Sequence, residues 1–150
     1  PQLKAGFFQR TLFRQRYVCL FRRGHPLDRR RITRADFEAA EHLVVVSAGT
    51  GHGRVDERLR RAGVRRDVRL TVPHFVSVGH ILARSDLVCT VTERLAESLA
   101  APFGLASRPH PIDLPDVAIN VFWHAKVHRS PAHQWLRGMV FALFGEAAAG

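Results

Sequence analysis

Three glycines at alternate positions follow an apolar run in the stretch VVVSAGTGHGRVDERLRRAG, which spans residues 44–63. A charged segment with helical spacing comes after Gly49, Gly51 and Gly53, so the order is strand, glycine loop and helix. The backbone N–H groups that start such a helix lack partners within it and favour an anion. His52, at the same place, can donate to a carboxylate or phenolate oxygen. The glycines equally fit a tight turn with a histidine that faces water, and the sequence leaves both interpretations open.

The glycine spacing does not match the known nucleotide-binding motifs. A dinucleotide fingerprint needs G-x-G-x-x-G and an acidic residue after the next strand, whereas this loop has G-x-G-x-G and the strand predicted at 68–72 ends in Val-Pro. A P-loop needs Gly-Lys-Ser/Thr, which the sequence lacks. We therefore expect no nucleotide and no other cofactor.

The nine histidines form no recognisable set of metal ligands. His124 and His128 are four residues apart, but His124 ends a predicted strand and Pro131 follows closely, which disfavours two ligands on one helical face. His74 in PHF and His110 in PHP are predicted to lie in loops. No G-x-S-x-G elbow, paired carboxylates or His–Cys couple is apparent. The sequence thus predicts neither a metal site nor an enzyme.

The composition is that of one globular domain, with 150 residues and 46% hydrophobic side chains. No apolar run reaches the roughly 18 residues that a membrane span needs, so no membrane partner is expected.

The net charge is +10, and every basic residue except Lys4 and Lys126 is an arginine, a bias typical of GC-rich genomes. Because the run Arg29–Arg31 has no interleaved aromatics, we do not expect this chain to bind nucleic acid directly.

The two cysteines, Cys19 and Cys89, lie in the apolar runs YVCLF and LVCTV. This placement favours buried, reduced thiols of a cytoplasmic protein over a disulfide.

Hydrophobic periodicity predicts strands that alternate with helices, which indicates an α/β fold with a largely parallel sheet. Strands are predicted to begin at residue 17 and to span 43–46, 68–72, 86–91 and 117–125; helices are predicted within 32–43, over 54–62 and 76–84, from 92, and from 130. In the helix at 54–62, Asp56 and Glu57 are expected in the first turn, with arginines in the last turn and Gly63 after it.

Two further regions have weaker patterns. The segment 108–116 carries three prolines and is predicted to be an extended connector instead of a central strand. The first fourteen residues are rich in phenylalanine without clear periodicity, and the last helix is very apolar. Both ends are therefore predicted to pack against a surface outside this chain.

Four segments together resemble the effector-binding domain of LysR-type transcriptional regulators: GFFQRTLFRQRYVCLFRRGHPL, TGHGRVDERLRRAGVRRDVRLTVPHF, SDLVCTVTERLAE and LPDVAINVFWHAKVHRSPAHQWLR. The patterns HPL, VPHF, SDL and W-L-R are typical of the family. The segments GFFQR, TGHG and FWHAK are similar to the group that responds to salicylate and nitroaromatic compounds. The resemblance covers essentially the whole chain, in order.

This resemblance implies a fold like that of type 2 periplasmic binding proteins, with one complete Rossmann-like lobe and the C-terminal part of the other. Residues 15–118 are expected to form the effector-binding lobe two, and residues 1–14 and 119–150 to belong to lobe one. Family members also have an N-terminal helix-turn-helix domain, so this chain is expected to be incomplete and to lack its DNA-binding domain.

The implied function is that of a cytoplasmic sensor. A small, salicylate-like aromatic acid would bind in the cleft between the lobes and shift the population of lobe arrangements. The change would pass to the contacts of a homodimer or homotetramer, and DNA would be bound only through the missing domain. No cofactor and no catalysis are implied.

The resemblance also implies which residues contact the effector. His52 matches a histidine that faces the cleft, Gly51 beside it offers a backbone N–H, and Ile119 matches an apolar wall position. Phe75 is expected near the mouth of the cleft. Gln15 is the departure, because relatives have histidine there: the sequence FRQRY replaces FRHRY. A glutamine amide still hydrogen-bonds a carboxylate but cannot become cationic, so a less acidic aromatic than salicylate stays open as the effector.

Two other classes share this fold. A solute-binding protein would need export, and the free-cysteine pattern without a signal peptide argues against it. A small bilobal enzyme would need a catalytic set, which we do not find in the sequence.

Overall fold

A computed structural model describes residues 6–29, 31–46 and 52–145, without the side chains of residues 52–54. Its strands are β1 (Phe7–Gln15), β2 (Tyr17–Arg22), β3 (Glu41–Val45), β4 (Asp67–Val72), β5 (Val88–Thr92), β6 (Leu105–Pro109) and β7 (Val117–His124). Its helices are α1 (Arg34–Ala39), α2 (His52–Arg61), α3 (Val78–Leu82), α4 (Glu93–Phe103) and α5 (Pro131–Phe144), with short 3₁₀ helices at Phe75–Ser77 and Ala125–Val127.

The chain divides into two compact units. Unit 1 comprises residues 1–15 and 118–150, and unit 2 comprises residues 16–117. In unit 1, β1 pairs with β7 in a two-stranded sheet, where the Thr11 hydroxyl donates to the Asn120 amide oxygen at 2.7 Å. Unit 2 contains the five-stranded sheet, and its correspondence to a lobe of the family fold stays a prediction.

The sheet of unit 2 has the strand order β4-β3-β5-β2-β6. The β3 strand runs parallel to β4 and β5, whereas β2 runs antiparallel to β5 and β6. The prediction of a largely parallel sheet is therefore wrong for β2. This strand enters from unit 1 and pairs with strands that follow it by about 70 and 90 residues, a choice of direction that local periodicity does not encode.

The central strands are buried on both faces, because a separate core cluster covers each side of the sheet. Alternate residues of β2 enter the two clusters: Val18 and Leu20 face one, and Tyr17, Cys19 and Phe21 face the other. The first cluster includes residues of α3 and α4, and the second includes residues of α1 and α2. We call these the α3/α4 layer and the α1/α2 layer. Unit 2 is thus a three-layer structure with helices on both faces of its sheet.

Cys19 and Cys89 are buried, free thiols, which confirms the prediction. Cys89 is opposite Leu20 across the β2–β5 pair and shares its face, so Cys19 points to the other face of the sheet. Burial raises the pKa of both thiols, that of Cys89 to about 12. Two buried thiols on opposite faces cannot form a disulfide without rearrangement of the sheet.

The predicted N-terminus is confirmed for α1 and is wrong for α2. Thr33 caps α1, and its side chain and that of Asp36 form the reciprocal capping box. Because α2 begins at His52, Asp56 and Glu57 lie beyond its first turn, which corrects their predicted place. Glu57 instead pairs with Arg60 and Arg61 in the last turn. The predicted basic residues of that turn are present, and Gly63 has the expected positive φ of 65°.

Two strands differ from the sequence-based predictions. β6 ends at Pro109, so Arg108 and Pro109 belong to a strand and not to the connector. Proline is tolerated there because β6 is an edge strand, paired only with β2. β1 had no recognisable pattern because nearly all its residues are exposed or half-exposed, so its two faces do not differ in polarity.

Unit 1 exposes many large apolar side chains, which include Phe7, Phe8, Phe122, Trp135, Leu136, Met139, Leu143 and Phe144. The interpretation that both chain ends pack against a further surface stays a prediction. None of the helices among the described residues has the length and apolarity that crossing a membrane requires.

Gly79 allows α3 to approach α4 closely. A Cβ atom at this position would lie 2.5 Å from the ring of Phe103. We expect Gly79→Ala to lower the free energy of unfolding by about 1–3 kcal/mol through this overpacking, although alanine favours helix by about 1 kcal/mol. Urea denaturation measures the change. Gly138→Ala in α5, where an added Cβ meets nothing within 4 Å, is the control and should be neutral or stabilising. A Gly79→Ala chain as stable as the parent would contradict the packing argument.

Candidate functional site

One edge of the five-stranded sheet collects the carboxyl ends of four strands and the start of the fifth. Val45 at the end of β3 pairs with Val72 at the end of β4, and Tyr17 at the start of β2 pairs with Thr92 at the end of β5. Pro109 at the end of β6 pairs with β2 near the same end. We call this side of the sheet, which is formed by strand ends and not by an outermost strand, the carboxyl edge. Ligands of open α/β sheets bind outside the carboxyl ends of strands, so this edge is the candidate site.

The segment after β3 carries two of the predicted effector residues. His52 is the first residue of α2, and Val55 and Asp56 in the early part of this helix line a small cavity with Val44 and Val45 at the end of β3. The start of α2, with its unpaired backbone N–H groups, is therefore near the carboxyl edge. Gly51 lies outside the described residues, and so does the side chain of His52. The predicted hydrogen bonds from these two residues to an anion therefore stay predictions.

Phe75 follows β4 and begins a 3₁₀ helix near the same edge. Its side chain is half-buried and packs against the α3/α4 layer. The ring is therefore part of the core of unit 2, and its predicted contact with an effector stays a prediction.

The other two predicted residues belong to unit 1. Gln15 is the last residue of β1 and directly precedes the boundary with unit 2, and Ile119 lies in β7, which pairs with β1. Both side chains are half-buried. Each thus lies in one of the two chain segments that connect the units.

The first turn of α4 adds a cation that the sequence analysis did not single out. Arg94, a half-buried residue, follows β5 at the carboxyl edge. Beside it, the Glu93 N–H donates to the Arg16 carbonyl oxygen at 3.0 Å, and the Arg16 guanidinium donates to the Glu93 carboxylate at 2.7 Å. These contacts attach the residue that follows Gln15 to the start of α4. A carboxylate at this edge would therefore meet the N-terminus of α4 as well as that of α2.

A cavity of about 290 Å³ opens at the same edge, between the start of β2, the end of β6 and the connector 110–116. Gln15, Phe75 and Ile119, three of the predicted effector residues, are not among the described residues that line it. Its wall holds two guanidinium groups and three carboxylates, those of Arg16, Arg108, Glu93, Asp113 and Asp116. Arg16 pairs with Glu93, and the Arg108 guanidinium donates to the carboxylate of Asp28 outside the lining, at 2.5 Å. The cavity is therefore a polar recess beside the predicted site.

His110 follows β6 in a loop, as predicted for PHP, and its half-buried side chain borders this cavity. Both the amide nitrogen and the carbonyl oxygen of Ile112 lie 3.1 Å from its Nδ1, and its Nε2 lies 3.3 Å from the Thr90 hydroxyl. Burial is the main cause that lowers the pKa of His110, to about 4. Burial also lowers the pKa of His42, whose Nε2 lies 2.8 Å from the Phe37 carbonyl oxygen. At neutral pH both rings are uncharged.

The histidines of unit 1 have structural contacts instead of a metal-binding arrangement. The Trp123 indole N–H donates to Nδ1 of His128 at 3.0 Å, and the Lys126 N–H donates to Nδ1 of His124 at 3.0 Å. The ring of Phe8 stacks on His128 with centroids 4.2 Å apart. Within 6–29, 31–46 and 52–145, no group of three or more His, Cys, Asp or Glu side chains could hold a metal ion.

Comparisons with known proteins give one consistent result. A family model described as the LysR substrate binding domain matches residues 1–144. The HTH-type transcriptional activator NahR of Pseudomonas putida is 54% identical over 144 residues, which are 96% of this chain and 48% of NahR. NagR of Ralstonia sp, another HTH-type transcriptional activator, is 52% identical over 98% of this chain and 49% of its own length. The chain therefore spans about half the length of these two activators.

Among solved structures, the regulatory domain of MexT, a transcriptional activator in Pseudomonas aeruginosa, superimposes with a TM-score of 0.80 and 30% sequence identity. The match covers 96% of this chain and 70% of the MexT chain.

Proposed function

Because this chain belongs to the family of LysR substrate-binding domains, we propose that it is the ligand-sensing domain of a transcriptional activator and that its effector is a small aromatic acid. The fold class predicted from the sequence, an α/β fold like that of type 2 periplasmic binding proteins, is confirmed by its structural neighbours. The family is regulatory and not enzymatic, so the prediction that the chain is no enzyme is confirmed as well.

The aromatic class of the effector is supported by the relatives and by the sequence. More than half of the residues are identical to NahR and NagR, and the motifs TGHG and FWHAK are those that indicated the salicylate-responsive group. A flat anionic ring also fits the chemistry of the carboxyl edge, where helix N-termini favour a carboxylate. Salicylate is therefore the first compound to test.

The observation that supports this proposal is the strand register, which brings the ends of β3, β4 and β5, and therefore the residues that follow them, to one edge of the sheet. The start of α2 follows β3, Phe75 follows β4 and Arg94 follows β5, and these three strands are parallel neighbours. In this proposal the carboxylate of the effector accepts hydrogen bonds from His52, the Gly51 N–H and Arg94. The aromatic ring packs against apolar side chains that include Phe75 and Ile119. Gln15 is assigned a further hydrogen bond to the carboxylate through its side-chain amide.

Effector binding would act on the full-length regulator by a shift of population. An acid that binds better to one arrangement of the two units favours that arrangement by the difference in binding free energy. In a cytoplasmic dimer or tetramer of the whole protein, this shift would alter how its helix-turn-helix domains hold DNA. This chain would supply the sensing part of that response.

Replacement of Gln15 by histidine tests the choice of effector. We expect Gln15→His to strengthen salicylate binding about fivefold, because an imidazolium makes a charge-assisted hydrogen bond worth about 1 kcal/mol more than that of an amide. Isothermal titration calorimetry of the full-length parent and variant measures the ratio. Gln15→Asn, which keeps the amide on a shorter side chain, is the matched control and should not strengthen binding. Failure of both parent and Gln15→His to bind any aromatic acid would refute the proposed function.

A further inference from the structure

The ring of His110 joins three elements of unit 2. It follows β6, and its Nε2 reaches past β2 to the Thr90 hydroxyl of β5, 3.3 Å away. The ring also packs against Phe37 of α1 with centroids 4.7 Å apart. Thr90 is buried, and Phe37 is fully buried. The side chain is therefore inserted into the α1/α2 layer from outside the edge strand.

This insertion fixes the connector 110–116, through which the chain returns to unit 1. Ile112 and Leu114 pack against the α1/α2 layer, and the Ile112 N–H donates to Nδ1 of His110 at 3.1 Å. The boundary between the units comes directly afterwards, between Val117 and Ala118. His110 thus adds polar contacts to a segment whose Ile112 and Leu114 side chains are half-buried against unit 2.

We propose that His110 is an acid-sensitive latch, which holds the connector 110–116 against unit 2 when its ring is neutral and releases it when the ring is protonated. This inference is independent of the proposed effector. It concerns how one of the two segments that join the units is attached to unit 2.

The geometry suits the neutral ring in either tautomer. With the proton on Nε2, the ring donates to the Thr90 hydroxyl and accepts from the Ile112 N–H; with the proton on Nδ1, it donates to the Ile112 carbonyl and accepts from the Thr90 hydroxyl. A cationic ring can donate to the Ile112 carbonyl oxygen, which favours protonation. It leaves the Ile112 N–H without its acceptor, however, and places a charge in a half-buried position, and the effect of burial is the larger. Burial accordingly lowers the pKa of His110 to about 4.

The charges around the ring do not compensate for protonation. His42 of β3 and Arg66 after α2 both disfavour the cation, and Arg66 is neutralised in part by its pair with Asp56 at 2.7 Å. The wall of the adjoining cavity adds Arg16, Glu93, Arg108, Asp113 and Asp116. Carboxylates and guanidinium groups ordinarily change charge outside the range from pH 5 to 7.5, so His42 is the neighbouring group whose titration must be separated from that of His110.

Hydrogen–deuterium exchange of the full-length protein tests the latch. Opening lets the ring regain its ordinary pKa of 6.5, so acidification favours the open connector. With a folded pKa of about 4, the opening equilibrium is expected to increase about 30-fold between pH 7.5 and pH 5. After correction for intrinsic exchange rates, peptides that cover 109–117 should show this loss of protection. Peptides from β2 and β5 should not.

Two variants and one competing outcome make the test specific. His110→Gln keeps hydrogen-bonding groups but does not titrate, so the pH step at 109–117 should disappear, whereas exposed His133→Gln in α5 should retain it. The exchange of the unmodified protein is decisive even if His110→Gln does not fold. An unchanged protection of 109–117 down to pH 5, or a loss confined to 37–45 around His42, would overturn the proposal.

Discussion

Salicylate is expected to bind the His52→Ala variant of the full-length protein about 10- to 150-fold more weakly than the parent. A hydrogen bond to a charged group contributes about 1.5–3 kcal/mol, and alanine removes the imidazole donor without any replacement. The N–H groups at the start of α2 are expected to remain, because they belong to the backbone. Binding should therefore be weakened and not abolished. Isothermal titration calorimetry gives the ratio of dissociation constants directly.

Two further variants distinguish loss of a direct contact between His52 and salicylate from a nonspecific effect of removing a histidine. His52→Asn keeps a side-chain donor and should fall between the parent and His52→Ala. His133→Ala removes an exposed histidine of α5 and should leave the affinity unchanged. Equal affinities for the parent and His52→Ala would remove His52 from the site. They would leave the assignment to the family unaffected.

The Phe37→Ala variant is expected to lose about 3–5 kcal/mol of unfolding free energy. Phe37 is fully buried and is the only buried side chain of α1, a helix of six residues. So short a helix is not stable by itself, and packing of this ring must hold it against the sheet. The ring also contacts His42 and His110, with centroids 4.5 and 4.7 Å away, so its loss leaves a cavity beside two neutral histidines.

Chemical denaturation followed by circular dichroism measures this loss. Phe37→Leu, which keeps most of the apolar volume, should cost less than half as much as Phe37→Ala. Val76→Ala, at a side chain that is 84% exposed, should change stability by less than about 0.5 kcal/mol. A cost for Phe37→Ala as small as that of Val76→Ala would show that α1 is not held by this ring.

The buried elements of unit 2 could be predicted because their signals are local. Apolar runs predicted β2, β3 and β5 as strands, and the two core clusters show that both faces of the sheet are covered there. The capping box of Thr33 and Asp36 and the positive φ of Gly63 depend only on neighbours within one turn. Such features are determined by sterics and hydrogen bonds close in sequence.

The edge strands and the strand directions could not be predicted in this way. β1 and β6 have little buried surface, and the prolines around Pro109 indicated a connector. The antiparallel pairing of Leu20 with Cys89, and of Leu20 with Ser107, joins segments far apart in the chain. Such pairings depend on how the whole sheet assembles, so the sequence of a single strand does not predict them.

In the candidate site, too, residues in a local motif could be predicted, whereas residues brought together by distant strand pairing could not. His52 and Gly51 were found from a local motif, the glycine loop before a helix. Arg94 was not singled out, and His110 was predicted only to lie in a loop, because their significance depends on distant neighbours. Arg94 reaches the carboxyl edge only because β5 aligns with β3, and His110 contacts β5 only because β6 lies beside β2. His110 lies between two prolines in a loop, and its sequence neighbours give no sign that its side chain contacts Thr90 and Phe37.

The crystal structure of the full-length protein with bound salicylate would test the central claim most directly. We predict electron density for one salicylate at the carboxyl edge, with its carboxylate at a hydrogen-bonding distance of about 2.7–3.2 Å from groups at the starts of α2 and α4. Density for the acid at the opposite edge of the sheet, where β3, β4 and β5 begin, would contradict the account. So would an effector-soaked crystal whose carboxyl edge holds only water at saturating salicylate.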